Sequence, residues 1–226
     1  MGGFIFLAVV VLAVIGLFVL NWRIGAAREA RIRTFILPKG LYDKLLVKHP
    51  HLTAKDCQLV SQGLRQFFLT YLKSGRQYVS MPSQVVDDLW HEFILYTKNY
   101  QQFCERAFGR FLHHTPAAVL AGGNQQSNAG LRRCWWHACR EENINPRAPS
   151  RLPLLFALDA KLNIPNGFRY AADCSLARKP GTDGGGGVYC GGDFSSASFD
   201  GGTDGFDTGS GDGGDAGGGC GGGGGD

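Results

Sequence analysis

TAKDCQLVSQGLRQFFLTYLKSG, residues 53–75, is the segment that most clearly predicts the fold class. Its apolar side chains recur every three or four residues, the spacing that puts them on one face of an α-helix. Thr53 suits the N-cap of such a helix, and Gly75 suits its C-terminal end. The residues of the apolar face are Cys57, Val60, Leu64, Phe67, Phe68 and Tyr71. We interpret Cys57 as a small core residue rather than a reactive thiol.

Helical patterns lie on both sides of this segment. A shorter helix is expected between Pro38 and Pro50, and a longer one from Ser80–Ser83 to Gly109. Two more are expected over residues 131–143 and 150–163, with a loop over 121–130 and a short extended piece after Pro165. The sequence therefore predicts a mainly α protein whose compact helical domain covers residues 36–180.

Residues 4–20, FIFLAVVVLAVIGLFVL, contain no charged side chain. As a helix they reach about 25 Å, close to the thickness of the hydrocarbon layer of a membrane. A cleaved signal peptide is the rival interpretation, but no charged side chain precedes the apolar stretch. We expect residues 1–22 to be a retained transmembrane anchor in contact with the lipid bilayer.

A basic juxtamembrane segment, residues 23–35, follows the apolar stretch. Its arginines are Arg23, Arg28, Arg31 and Arg33. Positive flanks stay on the cytoplasmic side and attract anionic lipid headgroups. A single-pass membrane protein is thus expected, with the N-terminus out and the domain in the cytoplasm. The seven cysteines, odd in number and irregularly spaced, fit a reducing compartment.

Residues 181–226 form a Gly/Asp-rich tail in which 22 of 46 residues are glycine. The tail has eight aspartates and no lysine or arginine, so the rest of the chain is more basic than the net charge of +4 indicates. We expect a disordered tail, because it has few apolar side chains to bury. The basic residues form no run of five or more, so no nucleic-acid partner is expected.

The residues with the strongest chemical signal lie in VDDLWHEFILYTKNYQQFCERAFGRFLHHTP, residues 86–116. Asp87 and His91 are four residues apart, which puts both on one face of a helix. If the helix is short or broken near Asn99, the chain can return so that His113 or His114 meets His91. Imidazole nitrogens with a carboxylate suit zinc or another divalent ion. The metal-site hypothesis therefore names Asp87, His91, His113 and His114.

Two other interpretations of these histidines stay open: ordinary structural residues, and catalysis without a metal. Cys104 would lie far round the helix from His91, so we assign it to the core. A second group, Cys134, His137 and Cys139, does not share one helix face. Of the adjacent Trp135 and Trp136, one is expected to anchor the core and the other to lie at its edge or against the membrane-near surface.

Residues 86–116 resemble the bacterial glycine-rich domain-containing proteins. The resemblance rests on Asp87 or Asp88 before Trp90-His91, then Phe103-Cys104, and an ending of His113-His114 before Pro116. LPLLFALDAKLNIPNGFRYAADC, residues 152–174, is similar to the second block of that group, and the tail fits its name. The resemblance implies no settled activity, substrate or cofactor.

The sequence thus favours a membrane-tethered binding or scaffolding module with no identified protein partner. The alternative is a metal-dependent enzyme that uses His91, oriented by Asp87, together with His113 or His114. Whether the chain is an enzyme is left open by its motifs, since no phosphate-binding loop, dinucleotide fingerprint or nucleophile elbow is present.

Overall fold

A computed structural model describes residues 2–114, 124–172, 189–190 and 194. The described part is mainly helical, which confirms the predicted fold class. Its elements, in chain order, are α1 (Gly2–Thr34), α2 (Leu41–Lys48), α3 (Ala54–Lys73), α4 (Gln84–Leu95), α5 (Thr97–Phe108), α6 (Asn124–Glu141), α7 (Leu154–Lys161), β1 (Tyr170–Ala171) and β2 (Tyr189–Cys190).

Helix α1 contains one span, Gly3–Thr34, that is long and apolar enough to cross a membrane. Its apolar residues up to Ile24 are exposed, whereas Ile32 is fully buried in the domain. The predicted juxtamembrane segment is therefore not a separate linker, because the same helix continues through it into the core. Arg33 pairs with Glu29 and with Glu141 of α6, and these pairs fix the last turns of α1.

Helix α3 lies at the centre of the domain and packs against α1, α2, α4, α6 and α7. It begins at Thr53, whose hydroxyl accepts from the backbone N–H of Asp56, while the Asp56 carboxylate accepts from that of Thr53. This reciprocal capping confirms the N-cap read from the sequence. The predicted apolar face is buried throughout, including Cys57.

The long helix predicted up to Gly109 is in fact two helices, α4 and α5, separated at Tyr96. Tyr96 has φ −80° and ψ 59°, outside the helical region, and its hydroxyl donates to the carbonyl of Lys39. The break turns α5 back so that Phe93 of α4 and Phe103 of α5 contact each other. Local propensity predicted a continuous helix, and these tertiary contacts override it.

The later elements differ from the prediction in their bounds. Helix α6 starts within the predicted loop 121–130, and α7 is shorter than residues 150–163. As expected, Trp135 is buried and Trp136 lies at the edge of the core. Cys104, Cys134 and Cys139 are also buried.

Most of the predicted disordered tail lies outside the described residues, but three of its residues are placed on the domain. Tyr189 and Cys190 form β2, which pairs in parallel with β1. Phe194 is 3 % exposed and packs against Trp135 and Phe156. These three residues of the segment that was expected to be disordered therefore contact the helical domain.

Candidate metal centre

Three side chains named from the sequence converge in the structure: Asp87, His91 and His114. One ligand atom from each lies within 4.8 Å of the other two. Nε2 of His114 is 2.8 Å from Oδ1 of Asp87, and the rings of His91 and His114 meet edge to face with centroids 4.3 Å apart. This carboxylate and these two imidazoles are all groups that bind divalent metals.

Helix α4 supplies two of the three residues. It begins after Ser83, whose hydroxyl accepts from the N–H of Val86, and Asp87 lies in its first turn. Asp87 and His91 are separated by one helical turn, so both side chains leave α4 on the same side. This part of the arrangement is predictable from spacing alone.

His114 comes from the segment that follows α5. Gly109 has φ 73° and ends α5, so the chain can reverse there. The Nε1–H of buried Trp90 donates to the hydroxyl of Tyr100, which donates to the carbonyl of Leu112. Burial raises the pKa of Tyr100 above its ordinary value, which keeps this hydroxyl a donor. The two hydrogen bonds hold the returning segment against α4.

Trp90 also contacts His114 directly. Their rings meet edge to face with centroids 4.5 Å apart, and the side chain of His114 is 9 % exposed. The side chain of Asp87 is 27 % exposed, and His91 is exposed. The group therefore has a buried side formed by His114 and an open side at His91, through which an ion or small molecule from solvent has access.

His113, the other histidine of the pair, does not join the group. It is exposed, and its ring lies 4.8 Å from that of Phe111. Successive side chains of an extended segment point to opposite sides, so His113 faces away where Leu112 and His114 face inward. The inward apolar Leu112 is the sequence signal that would have selected His114. Asp87 was expected to orient His91, but in the structure Asp87 is hydrogen-bonded to His114.

Asp88, next to Asp87, belongs to a different cluster. It is 5 % exposed, its Oδ2 lies 2.7 Å from Nε2 of His49, and it also accepts from Lys48 and Gln84. Burial alone would raise the pKa of Asp88, but these partners outweigh burial and lower it. Asp88 thus joins α2 to α4, a pairing that the sequence analysis missed because Lys48 and His49 are some forty residues away.

Among the described residues, the second group considered from the sequence, Cys134, His137 and Cys139, does not converge in the way that Asp87, His91 and His114 do. Burial raises the pKa of the Cys134 and Cys139 thiols to about 12, which keeps them protonated. Burial, with Arg140, Lys73 and Arg133 nearby, lowers the pKa of His137 to about 4. Cys134 and Cys139 are both fully buried, and we assign them to the core.

Asp159 of α7 holds the start of α4 in place. Its buried carboxylate accepts from the Ser83 hydroxyl at 2.7 Å and from the N–H groups of Gln84 at 2.7 Å and Val85 at 3.2 Å. It also accepts from the N–H of Phe168 at 2.9 Å. A negative charge is favoured at a helix N-terminus. The position of Asp87 and His91 therefore depends on α7.

Together these features define a mainly helical protein with an apolar N-terminal helix and a compact carboxylate–imidazole group. The chain belongs to the UCP032817-like family, whose sequence model matches residues 27–194. Comparisons with curated proteins and with solved structures gave no match. The family match begins after the apolar part of α1 and ends at Phe194, and it includes every residue of the candidate centre.

Proposed function

We propose that this chain is a membrane-tethered binding module that holds a divalent metal ion, most readily zinc, with Asp87, His91 and His114. The observation that carries the proposal is the convergence of the three ligand atoms within 4.8 Å. Nitrogen and oxygen donors of this kind match the preference of zinc and similar borderline ions.

The donors can bind one metal ion after the side chains adjust, since their separations, all within 4.8 Å, must approach the spacing of neighbouring zinc ligands. Zinc bonds of about 2.0–2.1 Å at tetrahedral angles place neighbouring ligand atoms about 3.3 Å apart. The 2.8 Å contact between His114 and Asp87 is slightly shorter, because these atoms share a proton in the metal-free arrangement. Metal binding displaces that proton and opens the contact by roughly half an ångström.

The tether is the apolar part of α1. Exposed apolar residues in this helix include Phe4, Leu12 and Phe18, which are 84, 68 and 72 % exposed. The continuation of α1 into the core supports a retained anchor over a cleaved leader. We further propose that the N-terminus faces out, on the basis of the arginines that follow the span. That the membrane is the bacterial inner membrane is proposed from the resemblance to the bacterial glycine-rich domain-containing proteins. We also propose that the chain is related to the glycine-rich domain-containing proteins.

Metal content tests this proposal. We expect the full chain, purified in detergent under reducing conditions and exposed to zinc, to retain about one ion per chain after desalting. Because a ligand of the native state stabilises it, removal of the ion by a chelator lowers the Tm. Metal analysis and thermal unfolding of the same sample check both points. A metal-free chain with a chelator-independent Tm contradicts the metal centre, whereas soluble full-length chain in cell fractionation contradicts only the tether.

A metal-dependent enzyme is the second candidate, favoured by the number of ligands, three, that the described part of the chain brings together. Three protein ligands leave a fourth position for water or substrate, the arrangement of catalytic rather than structural zinc sites. A zinc ion held by Asp87, His91 and His114 would supply a water acidic enough to act as a nucleophile near neutral pH. His91, on the open side, lies where a substrate would enter.

Small anions distinguish an open metal site from a closed one. We expect azide to change the visible spectrum of the cobalt-loaded full chain, since azide takes the free coordination position. Titration with azide, followed by absorbance at saturating cobalt, measures this exchange. A spectrum unaffected by azide means a closed coordination shell and argues against the enzyme while leaving the binding module in place.

A further inference from the structure

The direction of α1 shows which end of the domain follows the membrane helix. Arg28 of α1 lies against Gly109, at the end of α5, and Glu29 is 3.4 Å from Lys73, at the end of α3. Seven residues after Arg28, the ring of Phe35 contacts Phe103 in the middle of α5. Helices α3 and α5 therefore run antiparallel to α1.

It follows that α3 and α5 direct their C-terminal ends toward the side from which α1 enters. The contacts with α3 show the same antiparallel direction. Phe35, which follows Glu29 along the chain, accepts through its carbonyl from Arg65, which lies eight residues before Lys73. The turns that follow the two helices, at residues 74–78 and 109–111, thus form the end of the domain nearest the apolar part of α1.

Basic side chains collect at this end. Arg106 is exposed in the last turn of α5, and Arg110 is exposed one residue after Gly109. Arg76 follows α3 and donates to the carbonyl of Phe108, which fixes the two turns together. Arg110 is also held, since it donates to the Tyr71 hydroxyl at 2.9 Å and lies over that ring. We call Arg76, Arg106 and Arg110 the basic end.

Within the described residues, the acids nearby leave most of the positive charge of the basic end in place, although Glu105 is adjacent to Arg106. Glu29 and Glu141 are paired with Arg33 and Lys73. Glu105 accepts from Gln101 on the exposed side of α5. Arg23 and Arg31 of α1 add further exposed positive charge between the apolar part of α1 and the end of that helix.

The basic end is close enough to a bilayer to contact its surface. Arg28 lies eight residues beyond Leu20, which is about 12 Å along a helix. The headgroup layer occupies roughly 5–8 Å of that distance. The remaining gap is shorter than the Debye length of about 8 Å at physiological salt, so attraction to anionic headgroups is not screened out.

We propose that the basic end docks on anionic lipid headgroups and fixes the orientation of the domain on the membrane. This inference rests on the membrane tether of the proposed function but not on the metal centre. It extends the predicted lipid contact from α1 to α5 and to the turn after α3. It also removes Arg33 from that contact, because Arg33 is engaged with Glu29 and Glu141.

Arginine labelling of the full chain in nanodiscs tests the docking. We expect phenylglyoxal to modify Arg106 and Arg110 about fivefold more slowly in discs containing one-third phosphatidylglycerol than in phosphatidylcholine alone. High salt should abolish the difference. Arg169 is the internal control, because it is exposed but lies away from the basic end. It is close to Asp159 of α7, and α7 contacts α3 at Gly63. Gly63 is about 15 Å along α3 from Lys73, the end of α3 at which the basic end lies.

A matched pair of variants on α5 completes the test. Arg106→Glu should restore fast labelling of Arg110 in phosphatidylglycerol discs, whereas Lys98→Glu should leave Arg110 protected. Both residues are exposed, and they are separated by about 12 Å along the helix. Equal labelling of Arg106 and Arg110 in the two disc types overturns the docking alone. A chain that does not enter nanodiscs overturns both the docking and the tether.

Discussion

Replacing Asp159 with alanine is expected to lower the free energy of unfolding by about 4 kcal/mol. The side chain is 1 % exposed, and its removal leaves the Ser83 hydroxyl and three backbone N–H groups without their acceptor. Each unsatisfied buried donor costs about 1–3 kcal/mol, and the sum is reduced by local relaxation. For a domain of this size the Tm should fall by roughly 10 °C.

Thermal unfolding of the full chain in detergent, followed by circular dichroism in the presence of excess EDTA, measures this effect on metal-free chain. Asp87→Asn is the matched control, because it removes a carboxylate from the first turn of α4 that is partly exposed. That variant should melt within about 2 °C of the parent chain. An Asp159→Ala chain that also melts within this range would mean that α4 does not depend on α7 for its start.

The elements that could be predicted from the sequence are those set by local chemistry. Thr53 with Asp56 and the glycine at 109 are short-range signals, and both mark real helix ends. The break at Tyr96 could not be predicted, because it depends on a hydrogen bond to Lys39, which is 57 residues earlier in the chain. The packing of Phe194 on the domain could not be predicted, since a single aromatic residue in a glycine-rich segment has no periodic pattern.

Part of the candidate centre could likewise be predicted from local spacing, and part of it could not. The spacing of Asp87 and His91 is local and was sufficient to place both on one side of α4. The choice of His114 over His113 required the path of the chain after Gly109, and the support from Asp159 required a contact 75 residues away. One local sign of that support was present, because an aspartate within LLFALDAK is a charge in apolar surroundings.

Replacing His114 with alanine is expected to weaken zinc binding by at least about 100-fold. Loss of a residue that only orients a metal ligand costs 10–100-fold in affinity, so loss of a ligand itself should cost no less. His91→Ala should have a similar effect. It is the safer variant, because His91 is exposed whereas His114 packs on Trp90.

His113→Ala is the control that separates this prediction from a general effect of removing a histidine. The two residues are adjacent, but His113 is exposed beside Phe111, so its removal should change zinc affinity by less than about threefold. Competition with a chromogenic zinc chelator measures all three variants. If the histidines were only structural, the parent chain would not compete with the chelator, and His114→Ala would lower the Tm without any effect on metal. Equal weakening of binding by His113→Ala and His114→Ala would mean that the ion does not bind at the proposed centre. The two rings point to opposite sides of the segment, so they cannot both be ligands of one ion bound there.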